Sequence, residues 1–130
     1  MSESPTQRTL RHLRTEGEVV GIVEKWNQYG GGGHGIRQDL FGILDLVCLR
    51  PGTGIVGIQC CAGSGHAAHK QKILTTEFRG LLIAPVWLAC CGRIEIWSWS
   101  KRKFKLASGK WSNAFRWTPR VEEITQEDFE

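Results

Sequence analysis

Apolar and polar residues alternate along this chain in short blocks that predict an α/β fold. Two apolar runs, 42–49 and 54–61, flank the turn Arg-Pro-Gly-Thr-Gly, which predicts an antiparallel hairpin. Before them, Ser4 can cap a helix, Pro5 suits its first position and Gly17 can end it. The remaining pattern predicts a strand over 18–26, a glycine-rich loop over 27–35, a helix over 63–80, a strand pair over 81–91 and 93–103, and a last strand over 115–124.

This order, α-β-β-β-α-β-β, predicts a mixed central β-sheet flanked by helices. The 130 residues fit a single domain, in which the segment 121–130 is predicted to be an acidic C-terminal tail. No apolar run approaches the roughly 20 residues that span a bilayer, and the first residues lack the apolar core of a signal peptide. We therefore expect a cytoplasmic protein with no membrane association.

Charge is unevenly distributed along the chain. Residues 1–120 contain all 17 Lys and Arg but only 8 of the 13 acidic residues, which leaves a net charge of +9 there. A basic body favours an anionic polymer as partner, with nucleic acid the first candidate. Arg8, Arg11 and Arg14 recur every three residues on the predicted first helix and form a side that is either solvated or in contact with phosphate.

One carboxylate, Asp45, interrupts the apolar run 42–49, and the next run ends in Gln59-Cys60-Cys61. Because strand side chains alternate between faces, the hairpin brings Asp45 close to Gln59 and Cys61. Polar groups half-buried on a sheet require partners or a ligand. Carboxylate and amide oxygens suit Mg²⁺ or Mn²⁺ better than zinc.

An Asp in one strand, a tight turn, a polar residue at the end of the next strand and then a helix resembles the core of the PD-(D/E)XK nuclease superfamily. The resemblance spans roughly residues 8–100, and small single-domain phage and prokaryotic members are similar, among them Holliday-junction resolvases and virus-type replication-repair nucleases. It implies a restriction-endonuclease-like fold, Mg²⁺- or Mn²⁺-dependent cleavage of DNA, including branched or junction DNA, and a homodimer. The stretches that carry it are VEKWN (23–27), RQDLFGILDLVCL (37–49) and GIQCCAGSGHAAHKQKI (57–73).

The resemblance assigns metal-binding and catalytic roles to residues of the hairpin. Asp45 takes the place of the family's metal-binding Asp. Gln59 stands where the acid of the acid-x-Lys motif stands, as a weaker, neutral ligand. The backbone carbonyl of Cys60 occupies the position that adds a third oxygen.

Cys61 occupies the lysine position of that motif, and a thiol cannot supply a lysine's charge. The resemblance therefore moves the lysine's role, positioning water and stabilising charge on the phosphate, to Lys72 or Lys70 on the following helix, with Lys72 preferred. Glu24 and Asp39 are candidates for a further acid at the metal. Each has an alternative: Glu24 can pair with a basic neighbour, and Asp39 can cap the turn into the strand.

Several basic residues are predicted to contact nucleic acid. His66 and His69, spaced i, i+3, can contact the scissile phosphate, act as general acid, bind a transition metal with Cys61, or simply lie partly exposed on a helix. Trp97 and Trp99 precede a basic run on one strand face, where they either stack on bases or pack under a helix. The predicted nucleic-acid contacts are Arg37, His66, His69, Lys70, Lys101, Arg102 and Lys103.

Two other functions remain open at this point. The departures from acid-x-Lys at Gln59 and Cys61 fit a catalytically decayed nuclease fold that binds nucleic acid or protein without cutting. A metal-binding protein is the second alternative, although cysteines inside apolar runs are typical of buried small hydrophobes. Its ligands would be Cys60, Cys61, His66 and His69.

Overall fold

The protein folds around a mixed five-stranded sheet with helices on both faces. A computed structural model describes residues 3–130. The elements in chain order are α1 (Pro5–Thr15), β1 (Val19–Ile22), β2 (Lys25–Asn27), β3 (Ile36–Gln38), β4 (Leu46–Arg50), β5 (Gly54–Ala62), α2 (His66–Thr75), β6 (Glu77–Phe78), β7 (Leu81–Leu82), α3 (Ile83–Ala89), β8 (Gly92–Arg102) and β9 (Arg116–Ile124).

The main sheet has the strand order β1-β4-β5-β8-β9. Neighbouring strands are antiparallel except β5 and β8, which are parallel and joined by the connection that contains α2 and α3. The pairs β2–β3 and β6–β7 form two small separate hairpins. The expected fold class, an α/β protein with a mixed sheet flanked by helices, is therefore confirmed.

Helix α1 begins and ends where the sequence predicts. The Ser4 hydroxyl accepts a 3.1 Å hydrogen bond from the backbone N–H of Gln7, and Pro5 opens the first turn. Gly17 follows the helix with a positive φ of 83°, which a glycine adopts without strain. Leu10 and Leu13 are buried against the sheet.

The two faces of the sheet carry separate apolar layers. Leu10 and Leu13 of α1 cover one face, where Trp97 and Trp99 are also buried. On the opposite face, Ile73 of α2 packs in a layer whose other members are Ile43, Leu44, Cys61, Ile83, Ala84, Ile94, Ile96 and Ile124. Gln59 and Cys61 point to the face covered by α2 and α3, because side chains alternate along β5.

The prediction of a strand over 81–91 is wrong. This segment forms the short helix α3, in which Ile83 and Ala84 are buried and Trp87 is partly buried against the same layer. A short apolar run does not distinguish a strand from a buried helix by periodicity. Pro85 was the available signal, because proline is tolerated in the first turn of a helix but removes a hydrogen bond from a central strand.

Three other predicted boundaries change. The strand expected over 18–26 is divided between β1 and β2, and the glycine-rich loop lies inside the β2–β3 hairpin. The helix expected over 63–80 is shortened to α2, because Arg79 and Gly80 adopt positive φ values in the β6–β7 turn. Within the segment 121–130, residues 121–124 complete β9 and Phe129 packs against the core.

Within residues 3–130, none of the helices combines the length and the apolar character required to cross a bilayer.

Candidate metal centre

Three carboxylates from separate segments meet where β4 begins and β5 approaches its end. Glu24 follows β1, Asp39 follows β3 and Asp45 immediately precedes β4. One oxygen from each side chain lies within 4.8 Å of the other two. Their side chains are largely shielded from solvent: 11% of Glu24 and 14% of Asp39 is exposed, and Asp45 as a residue is 4% exposed. We call Glu24, Asp39 and Asp45 the acid cluster.

Backbone hydrogen bonds explain why Glu24 and Asp45 are neighbours. The Asp45 carbonyl accepts hydrogen bonds from the N–H groups of Val23, at 2.9 Å, and Glu24, at 3.3 Å. The Asp45 N–H in turn donates to the carbonyl of Ile58 in β5 at 2.8 Å. Asp45 thereby joins the ends of β1 and β4 to the middle of β5.

A tight turn between Asp39 and β4 places the third carboxylate. Leu40 donates a 2.8 Å hydrogen bond from its N–H to the carbonyl of Leu44, and Gly42 donates one of 3.0 Å to the carbonyl of Asp39. Phe41 and Gly42 both have positive φ, 55° and 79°. For Phe41 this conformation is unusual and costs energy, which the surrounding packing must offset. The predicted strand 42–49 is correspondingly shorter, and Asp45 lies just outside it.

Gln59 contacts Asp45 directly, as the hairpin pattern predicts. Its Nε2 donates a 2.7 Å hydrogen bond to Asp45 Oδ2, which also accepts a 2.8 Å bond from the N–H of Cys60. Gln59 is 2% exposed, and within residues 3–130 its Oε1 has no hydrogen-bond partner. A buried amide oxygen without a partner is energetically costly, and this one belongs to a side chain that contacts the acid cluster through Asp45.

The carboxylates of the acid cluster disfavour ionisation of Asp45. Burial, followed by the hydrogen bond and charge of Asp39, raises the pKa of Asp45 to about 8. The N–H of Cys60 opposes this shift but does not cancel it. A cation bound among the carboxylates would favour their ionised forms and remove this conflict.

Two basic side chains flank the acid cluster at an open cleft. Lys72 Nζ lies 2.8 Å from Asp39 Oδ2, and Arg37 Nη1 lies 3.0 Å from Glu24 Oε1. Arg37, Asp39 and Lys72 also line a cleft of about 450 Å³. Side-chain exposures of 41% for Lys72 and 62% for Arg37 leave both cations able to meet an anionic substrate at the cleft.

The donor set fits Mg²⁺ or Mn²⁺. Carboxylate, amide and carbonyl oxygens are hard ligands, which these ions prefer. Octahedral Mg²⁺, with bonds of about 2.1 Å, holds adjacent oxygens about 3.0 Å apart and opposite oxygens about 4.2 Å apart, so the three side chains would have to move closer together to share an ion. The Cys60 carbonyl faces the Asp45 side of β5, because the N–H and C=O groups of one strand residue point to the same side.

The structure brings together Asp45, Gln59, Glu24 and Asp39, with Lys72 and Arg37 beside them. His69 is half-buried on the same helix as Lys72, and burial followed by the Lys72 charge lowers its pKa. Lys70 is directed elsewhere, toward Glu122 at 2.6 Å and Asp128 at 3.5 Å. Of the two lysines considered, only Lys72 reaches the acid cluster.

His66 is likewise removed from the acid cluster and from solvent. It is 4% exposed, with Nδ1 2.7 Å from Ser98 Oγ and Nε2 2.7 Å from Glu122 Oε1. A carboxylate only accepts, so Nε2–H donates to Glu122, and the Ser98 hydroxyl can donate to Nδ1. The serine, histidine and glutamate order resembles a hydrolase triad, but Ser98 is 2% exposed and cannot meet a substrate. This network ties α2 to β8 and β9.

The four residues of the Cys/His alternative are not brought together. Cys60 belongs to the apolar layer under α1, whereas Cys61 belongs to the layer on the opposite face. Burial raises the pKa of both thiols, that of Cys61 to about 11, so in the absence of a metal they remain protonated near neutral pH. His66 has both ring nitrogens engaged by protein partners.

The two tryptophans in β8 are core residues. Trp97 and Trp99 are 7% and 5% exposed, and Trp99 Nε1 donates a 2.8 Å hydrogen bond to Thr9 Oγ1 in α1. Lys101, Arg102 and Lys103 are exposed beyond them. The sequence predictions did not include the aromatic residues of the segment that follows β8. The available signal was the composition of residues 100–120, which contain no acidic residue.

No protein-family model, curated protein or solved structure matches this chain.

Proposed function

We propose that the protein is a metal-dependent nuclease of the PD-(D/E)XK type, with a restriction-endonuclease-like fold, that cleaves DNA inside the cell using Mg²⁺ or Mn²⁺. The observation that carries the proposal is the acid cluster, in which Asp45 is buried and contacts Gln59, and Lys72 lies 2.8 Å from Asp39. The five cysteines are free, as a reducing compartment favours.

The chain's residues divide the work of phosphodiester cleavage between holding a cation and binding the phosphate. Asp45 and Gln59 would hold the ion from the sheet, and Glu24 and Asp39 from the two ends of the β2–β3 hairpin. Such an ion activates water and stabilises charge on the phosphate. Lys72 pairs with Asp39 and can turn toward a bound phosphate, where its charge favours the pentavalent transition state.

Arg37 has a positioning role in this proposal. Its guanidinium pairs with Glu24 while the rest of the side chain lines the cleft. A guanidinium there can donate to a phosphate beside the cleaved bond and so orient the strand.

Cleavage assays on linear, flapped and four-way DNA, each with Mg²⁺, Mn²⁺ or EDTA, test the proposal. We expect metal-dependent cleavage by the parent protein and a rate at least about 100-fold lower for Asp45→Asn. Glu77→Gln is the matched control, because Glu77 is an exposed carboxylate outside the acid cluster. DNA binding without cleavage in either metal would instead identify the decayed, binding-only form of the fold. Equal cleavage by Asp45→Asn and parent would refute the assignment.

A further inference from the structure

The hairpin made by the ends of β8 and β9 carries a strong positive charge. Residues 100–120 contain seven Lys and Arg and no acidic residue, and all seven cations are exposed. Among the acidic residues within 3–130, only Glu122 lies at salt-bridge distance from one of these seven cations, 3.8 Å from Arg120. We call residues 100–120 the basic hairpin. Its cations are Lys101, Arg102, Lys103, Lys105, Lys110, Arg116 and Arg120.

Large aromatic rings project from the same hairpin. Trp111 is 62% exposed, Phe115 60% and Trp117 41%. The core does not use these rings, because Trp97 and Trp99 already fill the layer beneath α1. Several exposed rings of this size on one short hairpin are a feature of interaction surfaces.

Each exposed ring lies beside a cation. Lys105 Nζ is 5.4 Å from the Trp111 ring centre, and Lys103 Nζ is 5.7 Å from that of Phe115. Trp117 lies between α1 and the hairpin, with the Arg8 guanidinium 4.0 Å from its ring centre. Trp111 and Phe115 therefore retain more open ring surface than Trp117.

The hairpin is ordered rather than a loose loop. Lys105 and Trp111 form a backbone bridge, and Leu106 donates a 2.8 Å hydrogen bond from its N–H to the carbonyl of Lys110. Ser112 is 3% exposed and its hydroxyl bonds to backbone groups of Phe104 and Ala114. The backbone that carries the rings and cations is thus ordered before any partner arrives, which lowers the entropy cost of binding.

We propose that the basic hairpin binds a single-stranded segment of nucleic acid, with bases stacked on Trp111 and Phe115 and phosphates bound by the neighbouring lysines. Charge selects a polyanion, and open rings select unstacked bases, which a closed duplex does not offer. An anionic membrane would also attract the charge, but it requires a continuous apolar face, and these rings are interleaved with lysines.

The position of the basic hairpin in the fold also supports the proposal. β8 runs parallel to β5, with Gln59 opposite Ile96 and Ala62 opposite Trp99. The basic hairpin therefore extends past the end of the sheet at which the acid cluster lies. Guiding a strand toward that cluster rests on the proposed nuclease function, whereas the binding itself requires no metal.

Fluorescence anisotropy in EDTA tests the inference with the full chain. The probes are labelled oligothymidine, oligouridine and a blunt duplex of equal length, with vesicles of phosphatidylserine and phosphatidylcholine as the membrane arm. We expect single strands to bind more tightly than the duplex, and the DNA and RNA probes report whether sugar type matters. Equal affinity for duplex and single strand, or binding to vesicles alone, would overturn the proposal.

Two variants locate the stacking surface. Trp111→Ala and Phe115→Ala should each weaken single-strand binding roughly 5- to 150-fold, the range expected for one lost base stack. Tyr29→Ala, which removes an aromatic ring that is 84% exposed on the β2–β3 hairpin, is the matched control and should bind as the parent does. Unchanged thermal melting verifies that each variant is folded. Unchanged affinity of both ring variants would overturn the proposal.

The contribution of the lysines is measured separately, from the salt dependence of binding. Replacing Lys105 and Lys110 together by Gln should make the plot of log affinity against log salt concentration shallower by about 1.4, or about 0.7 for each lost phosphate contact. An unchanged slope would contradict phosphate binding by this hairpin.

Failure of this inference and failure of the nuclease proposal can be told apart. Cleavage with Mg²⁺ but no preference for single strands would overturn the inference and leave the nuclease standing. Single-strand binding in EDTA without cleavage in either metal would overturn the nuclease proposal and leave the inference standing.

Discussion

The Gln59 amide nitrogen donates a 2.7 Å hydrogen bond to the carboxylate of Asp45, and the amide oxygen of the same side chain is buried without a partner. One end of the amide is therefore satisfied within the fold, and under the proposed function the other end would be available to an ion. The pair would then connect the stability of the fold to metal binding, and both can be measured.

Replacing Gln59 by Glu should exchange stability for metal affinity. In EDTA the variant loses the donor to Asp45 and adds a fourth carboxylate, which should lower the free energy of unfolding by about 2–3 kcal/mol. With Mg²⁺ or Mn²⁺, the added charge should produce a larger rise in melting temperature than the parent shows. Differential scanning fluorimetry measures both. Destabilisation that neither metal relieves would indicate a purely structural glutamine.

Replacing Asp45 by Asn should remove the metal-dependent part of stability. Asn keeps the shape of the side chain and an acceptor for the Cys60 N–H, so unfolding free energy in EDTA should stay within about 1 kcal/mol of the parent. The parent should gain about 2.7 kcal/mol at a metal concentration of about 100 Kd, and the variant should gain almost none. Glu77→Gln should respond to metal as the parent does. Equal metal shifts in all three proteins would rule out a metal site at Asp45.

Substitutions of the two lysines of α2 should have different effects, one on the cleavage rate and the other on stability. Lys72→Met should slow cleavage roughly 100-fold with little loss of stability, because the Lys72 side chain is 41% exposed and ion pairs that reach solvent contribute little. Lys70→Met should cleave at nearly the parent rate but unfold more easily, by about 1 kcal/mol, because it breaks the pair with Glu122. Rate measurements and denaturant titrations compare the two. A reversed pattern would exchange the roles assigned to these lysines.

Stability should depend on pH through Glu122. A hydrogen bond from Lys70, then one from His66, holds the pKa of Glu122 below its usual 4.5. A lowered pKa contributes stability above about pH 4.5, and that contribution is lost as pH falls through the folded-state value. Glu122→Gln should therefore be less stable by about 1 kcal/mol at about pH 7, with a deficit that shrinks below about pH 4.5. Denaturant unfolding across this range, with Glu77→Gln as control, measures it; a constant deficit would contradict the assignment.

The thiols should divide into two reactive and three protected groups. Cys90 and Cys91 are exposed, whereas Cys48, Cys60 and Cys61 are buried. Burial and the Asp45 charge raise the pKa of Cys61 to about 11, so little thiolate exists near neutral pH. Mass spectrometry after brief alkylation of the native protein should find two modified thiols, and five after denaturation. Rapid modification of Cys61 would show that its face of β5 opens readily.

Local patterns predicted the parts of the fold that depend on neighbouring residues. The cap at Ser4 and the stop at Gly17 define α1, and the turn after Arg50 defines the β4–β5 hairpin. Alternation along that hairpin also predicted the contact between Asp45 and Gln59, which is confirmed. The strand expected over 81–91 was wrong because a short apolar run fits either a strand or a buried helix.

The sequence by itself determined helix α1, the β4–β5 hairpin, the mixed sheet and one polar contact across that hairpin, because capping, turn chemistry and strand alternation act over a few residues. Only the tertiary structure decided that Glu24 and Asp39 join Asp45, that Lys72 rather than Lys70 reaches them, and that His66 is buried. Those outcomes depend on strand order, on the turn before β4 and on which helix face meets the sheet. The strand order and the packing of the helix are set by contacts between residues distant in sequence.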